Sequence, residues 1–415
     1  MEGDGGTTNN DAASIATGCL AALALYMGVV QLLRFRRIRR MKRSLDAIAD
    51  ASEVVRQMSS LEFPFVMSKA LEFALFATYG VPSISKLLDK TGEFRKSVGK
   101  RYEDTDLIIR EYQESGVGGA RSQAALARLN AIHGMYAKEI SNADMLFTLS
   151  LFITEPAAWV NRYGWRRCTD FEKEALLVHF GGMGKGMGIK GVEAWKTWDD
   201  VNDFQAAYAR EHFRYAASNA AIGGVTIDLF VSLLPKRLQS SARWGVYALI
   251  DPPLLKAMGF PKAPFLLEWI LKGSLLLRAA AIRFLLPPRP EFLAVRRTPL
   301  SDAPDDKAAE VVLQPTFHPF QDPHLGCLCY QNGYKIGELG PATCPAGRMW
   351  EGASPPTYTG KGGGGSGGVV CGADGSSPLA RGGVAAAASN AAAVASPVPT
   401  EKADAPGGKE TKKSA

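Results

Sequence analysis

One histidine falls on the apolar face of a predicted helix. His133 recurs at helical spacing with Leu126, Leu129, Tyr136 and Ile140, and side chains three and four residues apart share one face of a helix. An inward imidazole can be a satisfied core residue, a general base or a metal ligand. The residue types alone favour the core interpretation, and the two chemical roles stay open.

A carboxylate interrupts a helix that is apolar nearly all round. Glu72 stands in the segment ALEFALFATYG, where a lone carboxylate is costly unless it is paired or solvated. Lys69 lies one turn earlier and could pair with it at an exposed edge that includes Ser68. The spacing therefore leaves two interpretations of equal weight, a surface ion pair and a buried acid–base group.

The next helix presents a threonine beside a lysine. Ile84, Leu87, Leu88 and Thr91 form one face, and Lys90 lies at its flank. A threonine in this position usually donates to the backbone carbonyl one turn back.

The segment GMGIKG, residues 186–191, matches the dinucleotide-binding pattern G-x-G-x-x-G. That pattern has meaning only between a strand and a helix. Here the preceding EKEALLVHF reads as a helix that begins at Thr169, with Glu172 three residues on as in a capping box. We therefore expect the glycines to end a helix, and we expect no nucleotide site.

A helical frame must position these candidates. Of the 415 residues, 46% are apolar, and helical periodicity continues from Ser44 to about Leu286 without a convincing series of strands. The sequence therefore predicts an all-α fold, a helical bundle domain over residues 44–297. An irregular segment, 298–351, and a Gly-, Ala-, Ser- and Pro-rich disordered tail, 352–415, follow.

The irregular segment holds five residues of metal-binding type: His318, His324, Cys327, Cys329 and Cys344. Zinc sites usually contain C-x-x-C pairs, whereas only one residue separates the first two cysteines, so we expect no zinc there. The six cysteines of the chain form no disulfide framework, which is typical of a reducing compartment.

An N-terminal stretch predicts a membrane anchor. Residues 12–33 contain no charge and suffice to cross a bilayer as one transmembrane helix. Residues 1–11 before it are acidic, and residues 34–43 after it are strongly basic, so the positive-inside tendency places the domain in the cytosol and the N-terminus in the lumen. This clustering of cations explains the net charge of +7 better than nucleic-acid binding does.

A second apolar stretch, Phe265 to Leu286, carries four charges and reads as a buried or interfacial helix.

Five ordered blocks resemble a known family, that of the ER-bound oxygenase mpaB, which shares its catalytic domain with the bacterial rubber oxygenases (latex-clearing proteins). The likeness extends over roughly Phe63 to Leu286. The blocks are YGVPSISKLLDKTGEF, KRYEDTDLII, RLNAIHGMYAKEISNADMLFTLSLFITEPAAWV, YGWRRCTDFEKEAL and GMGIKG.

The resemblance implies a heme b inside the bundle, with His133 as the axial ligand of its iron and another group fixing the second ring nitrogen. It also implies that Glu72 is a catalytic base and that Lys90 and Thr91 line the distal side. Arg101, in an R-x-x-D-T block with Asp104, would contact a heme propionate or form a structural ion pair.

Two positions depart from the family pattern. Leu87 stands where the bacterial enzymes have an arginine, so the distal chemistry is expected to differ. His179 stands where an aromatic residue is more usual, and its inward spacing from Ala175 and Leu176 makes it a rival iron ligand.

These features together predict a heme-dependent, single-pass oxygenase of the endoplasmic reticulum membrane. Its substrate would be a lipophilic, isoprenoid-type small molecule that reaches the helical core from the bilayer, and its reaction the cleavage of a carbon–carbon double bond with O2. Two alternatives are a noncatalytic membrane-anchored heme- or lipid-binding protein and a scaffold whose tail recruits partners. No nucleic-acid partner is expected.

Overall fold

The computed structural model describes residues 6–115, 118–299, 310–317, 330–341, 344 and 355–361, with side chains from residue 12 onward. The described chain is helical and contains no β-sheet, only two isolated bridges, Ser141 with Thr359 and Leu313 with Tyr334. This confirms the predicted all-α class. Thirteen α-helices lie in the described residues: α1 (Gly6–Ser44), α2 (Ala51–Gln57), α3 (Pro64–Thr78), α4 (Pro82–Thr91), α5 (Glu93–Glu114), α6 (Ala120–Gly134), α7 (Asn142–Tyr163), α8 (Asp170–Gly186), α9 (Trp198–His212), α10 (Ala217–Ser232), α11 (Lys236–Leu249), α12 (Pro252–Met258) and α13 (Phe265–Leu285).

Side-chain caps set several helix starts. Thr169 and Glu172 form the predicted capping box at α8, because each side chain accepts a hydrogen bond from the other residue's backbone N–H. At α7 the Ser141 hydroxyl accepts a hydrogen bond of 3.0 Å from the backbone N–H of Asp144. The helix start predicted at Thr169 is confirmed.

The glycine-rich segment ends α8, as the sequence predicts. Gly188 has a φ of 74°, a conformation that favours glycine. The backbone N–H of Ile189 donates to the carbonyl of Gly184 at 3.0 Å, which is the long hydrogen bond of a helix-ending Schellman motif. A helix precedes this segment, so the context of a dinucleotide-binding fingerprint is missing.

The core forms around α7. This helix packs against α3, α8 and α9, and its side chains from Met145 to Val160 are mostly buried. A second apolar cluster joins the end of α3 and the start of α5 to α10 and α12, through residues such as Phe76, Phe94, Ile222 and Met258.

Part of the predicted irregular segment folds onto the domain. We call residues 310–317, 330–341 and 344 the C-terminal strap. Tyr334, Ile336 and Leu339 of the strap are buried against Leu107 of α5 and Ala125 of α6. His318, His324, Cys327 and Cys329 lie outside the described residues.

Seven residues of the predicted tail also contact the domain. Residues 355–361 lie alongside the segment that comes after α6 in the chain. There the backbone N–H of Thr359 donates a hydrogen bond to the carbonyl of Ala137 at 3.0 Å. Tyr358 is 6% exposed and packs into the main core. An aromatic residue thus gives this stretch the apolar surface that the Gly- and Ala-rich part of the tail lacks.

Helix α1 runs without a break through the predicted anchor and the basic cluster. In the described part of the chain it is the one helix long and apolar enough to cross a membrane, with a mean hydropathy of 1.9 over its most apolar stretch. From Val30 onward one of its faces is buried on the domain, through Val30, Arg34, Ile38 and Met41. The apolar stretch and the face packed on the domain therefore belong to one continuous helix.

A buried arginine joins the end of the helical domain to α5. Arg297 is fully buried, and its guanidinium contacts the carboxylates of Glu103 and Asp106. Thr298, the residue after Arg297, donates two hydrogen bonds to the Glu114 carboxylate. Its backbone N–H lies at 2.9 Å and its hydroxyl at 2.7 Å. Five residues thus form one network that is largely withdrawn from water, in which Oε1 of Glu103 has no hydrogen-bond partner among the described residues.

We predict that Arg297→Ala lowers the free energy of unfolding by about 3–5 kcal/mol, because it leaves the buried Glu103 carboxylate without its cation and Asp106 with Arg110 alone. Chemical denaturation of the full chain measures the change. Lys335→Ala is the control, because the exposed Lys335–Glu338 pair, at 3.7 Å, is expected to contribute about 0–1 kcal/mol. Equal effects of the two substitutions would contradict the prediction.

Candidate functional site

Glu72 lies on α3 with a carboxylate that is largely withdrawn from water. Its side chain is 9% exposed, which does not fit the exposed edge that was one of the two interpretations of this position. The expected pair with Lys69 is present, at 2.8 Å from Nζ to Oε2. The Tyr102 hydroxyl at 3.2 Å and the Ser68 hydroxyl at 3.3 Å also donate to Oε1.

Tyr102 is the residue of this group that the sequence did not single out. Burial, followed by the negative charge of Glu72, raises the pKa of its hydroxyl. Tyr102 therefore stays protonated and donates to Glu72. Its position within the block KRYEDTDLII was the available signal, but the contact joins residues 30 positions apart, which no local pattern shows.

His133 lies near the end of α6 and is held as a neutral imidazole. Burial, assisted by the positive charge of Arg101, lowers its pKa to about 4. Its Nδ1 is buried and has no hydrogen-bond partner among the described residues, while the residue as a whole keeps a partly accessible surface. A second group that fixes the ring, as the resemblance implies, is therefore not found among the described residues.

These properties fit an axial ligand of heme iron. Metals bind the neutral form of histidine, and a buried ring nitrogen without a partner is unfavourable unless a bound group satisfies the ring's polar atoms. The residue as a whole keeps a partly accessible surface, so the protein does not enclose it completely.

Arg101 lies close enough to His133 to affect its titration. Its guanidinium also lies 5.9 Å from the ring centre of Phe94 and donates to the Thr105 hydroxyl. The ion pair with Asp104, one of the two roles predicted for Arg101, does not form. Asp104 instead accepts hydrogen bonds from Lys100 at 2.8 Å, because the two side chains are one helical turn apart on the face that meets the C-terminal strap.

Lys90 and Thr91 lie at the end of α4, and they contact residues outside the two pairs just described. The Lys90 side chain is 68% exposed and pairs with Glu139 at 2.6 Å. The Thr91 hydroxyl donates to the carbonyl of Leu88 at 2.7 Å, the ordinary behaviour of a threonine near a helix end. The structure therefore brings together Glu72 with Tyr102, and His133 with Arg101, but shows no contact of Lys90 or Thr91 with either pair.

His179, the rival ligand, is closely packed inside α8. It is 2% exposed, and burial lowers its pKa to about 3. Its ring meets those of Tyr112 and Phe180 edge to face, at 5.3 and 4.9 Å between ring centres. Its Nδ1 lies 3.3 Å from the Ser52 hydroxyl, and its Nε2 is buried without a partner. A planar macrocycle could reach this nitrogen only if these aromatic rings moved.

The described residues contain no cluster of three or more His, Cys, Asp or Glu side chains that could hold a metal ion. Cys344, the one described member of the cysteine-containing segment, is 2% exposed and lies 3.3 Å from a guanidinium nitrogen of Arg128.

No protein-family model matches the chain. It is 35% identical over 269 residues to the ER-bound oxygenase mpaB of Penicillium roqueforti (strain FM164), an alignment that covers 59% of this chain and 89% of the relative. It is 28% identical over 362 residues to the ER-bound oxygenase mpaB' of Penicillium brevicompactum, covering 76% of this chain and 85% of the relative. Since most of each relative is matched, the chain belongs to the family of the ER-bound oxygenase mpaB.

Proposed function

We propose that this protein is a heme-dependent oxygenase, anchored in the endoplasmic reticulum membrane by α1, that cleaves a carbon–carbon double bond of a lipophilic, isoprenoid-type substrate with O2. The observation that carries the proposal is the neutral imidazole of His133, a residue that keeps a partly accessible surface and whose pKa the positive charge of Arg101 helps to lower. The oxygenase relatives support the reaction class.

His133 would hold the iron, and Arg101 would face an anionic edge of the macrocycle. A guanidinium is suited to this task because it pairs with carboxylates through several N–H donors. Heme, when bound, supplies the activation of O2. The desolvated surroundings of His133 keep its ring unprotonated near neutral pH, so no proton competes for the ligating nitrogen.

Glu72 would take a proton from the substrate. Lys69 and Tyr102 both donate hydrogen bonds to its carboxylate and hold the group in place. Tyr102 follows Arg101 directly in α5, so a single helix carries one partner of Glu72 and the cation next to His133. Helix α5 therefore connects the part of the site around Glu72 to the part around His133.

We predict that purified full-length protein binds about one heme per chain, and that His133→Ala loses the heme or binds it much more weakly, because the substitution removes the axial ligand. The Soret absorbance relative to protein concentration measures the heme content. His179→Ala is the matched comparison and is expected to keep its Soret band. The reverse pattern would assign the iron to His179, and absence of a Soret band in the wild-type protein would contradict the heme itself.

For Glu72, we predict that Glu72→Gln keeps a normal heme content while turnover of a prenylated substrate falls by about two to four orders of magnitude, because an amide keeps the size of the side chain but cannot take the proton. Single-turnover oxidation by the heme-loaded protein is the measurement.

Lys69→Met serves as the control for loss of the ion pair alone. If the Glu72–Lys69 pair acts only in stability, it contributes about 0.3–0.5 kcal/mol, and its loss leaves turnover unchanged. Normal oxidation by Glu72→Gln would remove Glu72 from the site and leave the heme proposal intact. Normal heme with no oxidation by the wild-type protein would favour a noncatalytic heme-binding role.

The helical domain is expected on the cytosolic side of the membrane. Arg36, Arg39, Arg40, Lys42 and Arg43 of α1 are exposed after the apolar stretch, and such a basic flank is retained in the cytosol. Protease added to sealed microsomes should digest the domain, with detergent-opened microsomes as the control. Full protection in sealed microsomes would refute this orientation.

A further inference from the structure

Helix α13 turns an apolar face away from the protein. Leu266, Trp269, Ile270 and Leu277 are between 60% and 72% exposed. They recur at spacings of three, four and seven residues, so they share one side of the helix. A contiguous exposed surface of large apolar side chains marks an interaction site in a soluble domain.

The four charged residues of α13 contact other side chains. Glu268 and Lys272 form an ion pair. The guanidinium of Arg278 lies 4.5 Å from the ring centre of Phe65, and that of Arg283 lies 5.7 Å from the ring centre of Phe35. The side chains of Glu268 and Lys272 are 28% and 41% exposed and lie at the edge of the apolar face, whereas Leu266, Trp269, Ile270 and Leu277 themselves form an uncharged strip.

This apolar face continues onto both neighbouring helices. Helix α13 packs against α1 and α11, and Leu238 and Trp244 of α11 are 54% and 37% exposed. On the other side the Tyr26 hydroxyl of α1 donates to the carbonyl of Leu285 at 2.8 Å. The C-terminal end of α13 therefore lies beside the apolar part of α1.

We infer that the outward faces of α13 and α11 form a membrane-embedded surface. This surface lies in the leaflet next to the domain, where α1 leaves the bilayer. The inference rests on the proposed anchoring by α1, because the contact between Tyr26 and Leu285 places the C-terminal end of α13 at the depth of Tyr26. Continuity with the anchor identifies the partner as a lipid surface.

The composition of α13 indicates that it lies along the membrane and does not cross it. Within the described chain only α1 meets the length and hydropathy requirements of a span. A helix with one apolar face and charges on the other buries the apolar face about 5–10 Å into the boundary between headgroups and acyl chains. Lys236 and Arg237, both exposed at the start of α11, would meet the phosphates of the headgroups.

A cavity of about 370 Å³ borders this surface. It lies between the end of α7 and helices α11 to α13, and Tyr163, Tyr247 and Leu255 contribute to its wall. Leu276 belongs to both the cavity wall and the exposed side of α13. Five charged residues also line the cavity, Arg162, Asp251, Lys262, Glu268 and Lys272, so its wall is polar as well as apolar.

Fluorescence quenching of Trp269 tests the surface directly. The full-length protein is reconstituted in phosphatidylcholine vesicles, with or without lipids brominated on the acyl chains, and the emission of Trp269 is taken as the difference between wild type and Trp269→Phe. We expect brominated lipid to remove most of this emission and aqueous iodide to have little effect. Trp198→Phe gives the control, because Trp198 of α9 lies outside the surface and its emission should not respond to brominated lipid.

Two outcomes would overturn the inference. Quenching of Trp269 by iodide and not by brominated lipid would place the face in water, and protection from both quenchers would indicate that a second copy or another protein covers it. Alkaline carbonate extraction separates this result from the anchor. If the protein resists extraction but iodide quenches Trp269, the anchor is supported and the lipid-facing surface is refuted. If the protein is extracted although brominated lipid quenches Trp269, the surface is supported and the anchor is refuted.

Discussion

The guanidinium of Arg297 is enclosed between the carboxylates of Glu103 and Asp106. A buried cation is tolerated only where anions and hydrogen bonds replace water, so the chain after α13 must return to this place on α5. Arg110 extends the same network, contacting Asp106 at 2.9 Å and the Ser68 hydroxyl of α3 at 3.2 Å. One set of charges therefore fixes α5 relative to α3 and to the end of the helical domain.

Helix α5 transmits this constraint to the candidate site. Arg101 lowers the pKa of His133 on α6, and the adjacent Tyr102 donates to Glu72 on α3. Consecutive residues point in different directions from a helix, about 100° apart, so one rigid element serves two neighbours. A small rotation of α5 would disturb both interactions at once. The buried charges on the other faces of α5 therefore affect the geometry of the site as well as stability.

Local signals in the sequence predicted what depends on neighbours along the chain. The capping box at Thr169 and the helix end at Gly188 follow from residues a few positions apart, as does the Lys69–Glu72 pair. The inward stripe likewise marked His133, although the role of that histidine is a proposal. The contact between Glu72 and Tyr102, 30 positions apart, and the burial of Arg297 depend on helix packing, which no spacing rule contains. The surface position of Lys90 also depends on how α4 meets the segment after α6.

Helix α13 shows why counts of charges along a sequence are a poor guide to the role of a helix. Four charged residues in 21 argue against a membrane segment when they are averaged over the helix. In the folded protein all four lie toward other side chains, and two of them place guanidinium groups near aromatic rings. The side that remains is more apolar than the average, because packing against α1 and α11 has sorted the polar groups inward. The property that matters for contact with lipid is therefore the composition of the exposed face, which depends on the rotation of the helix about its own axis.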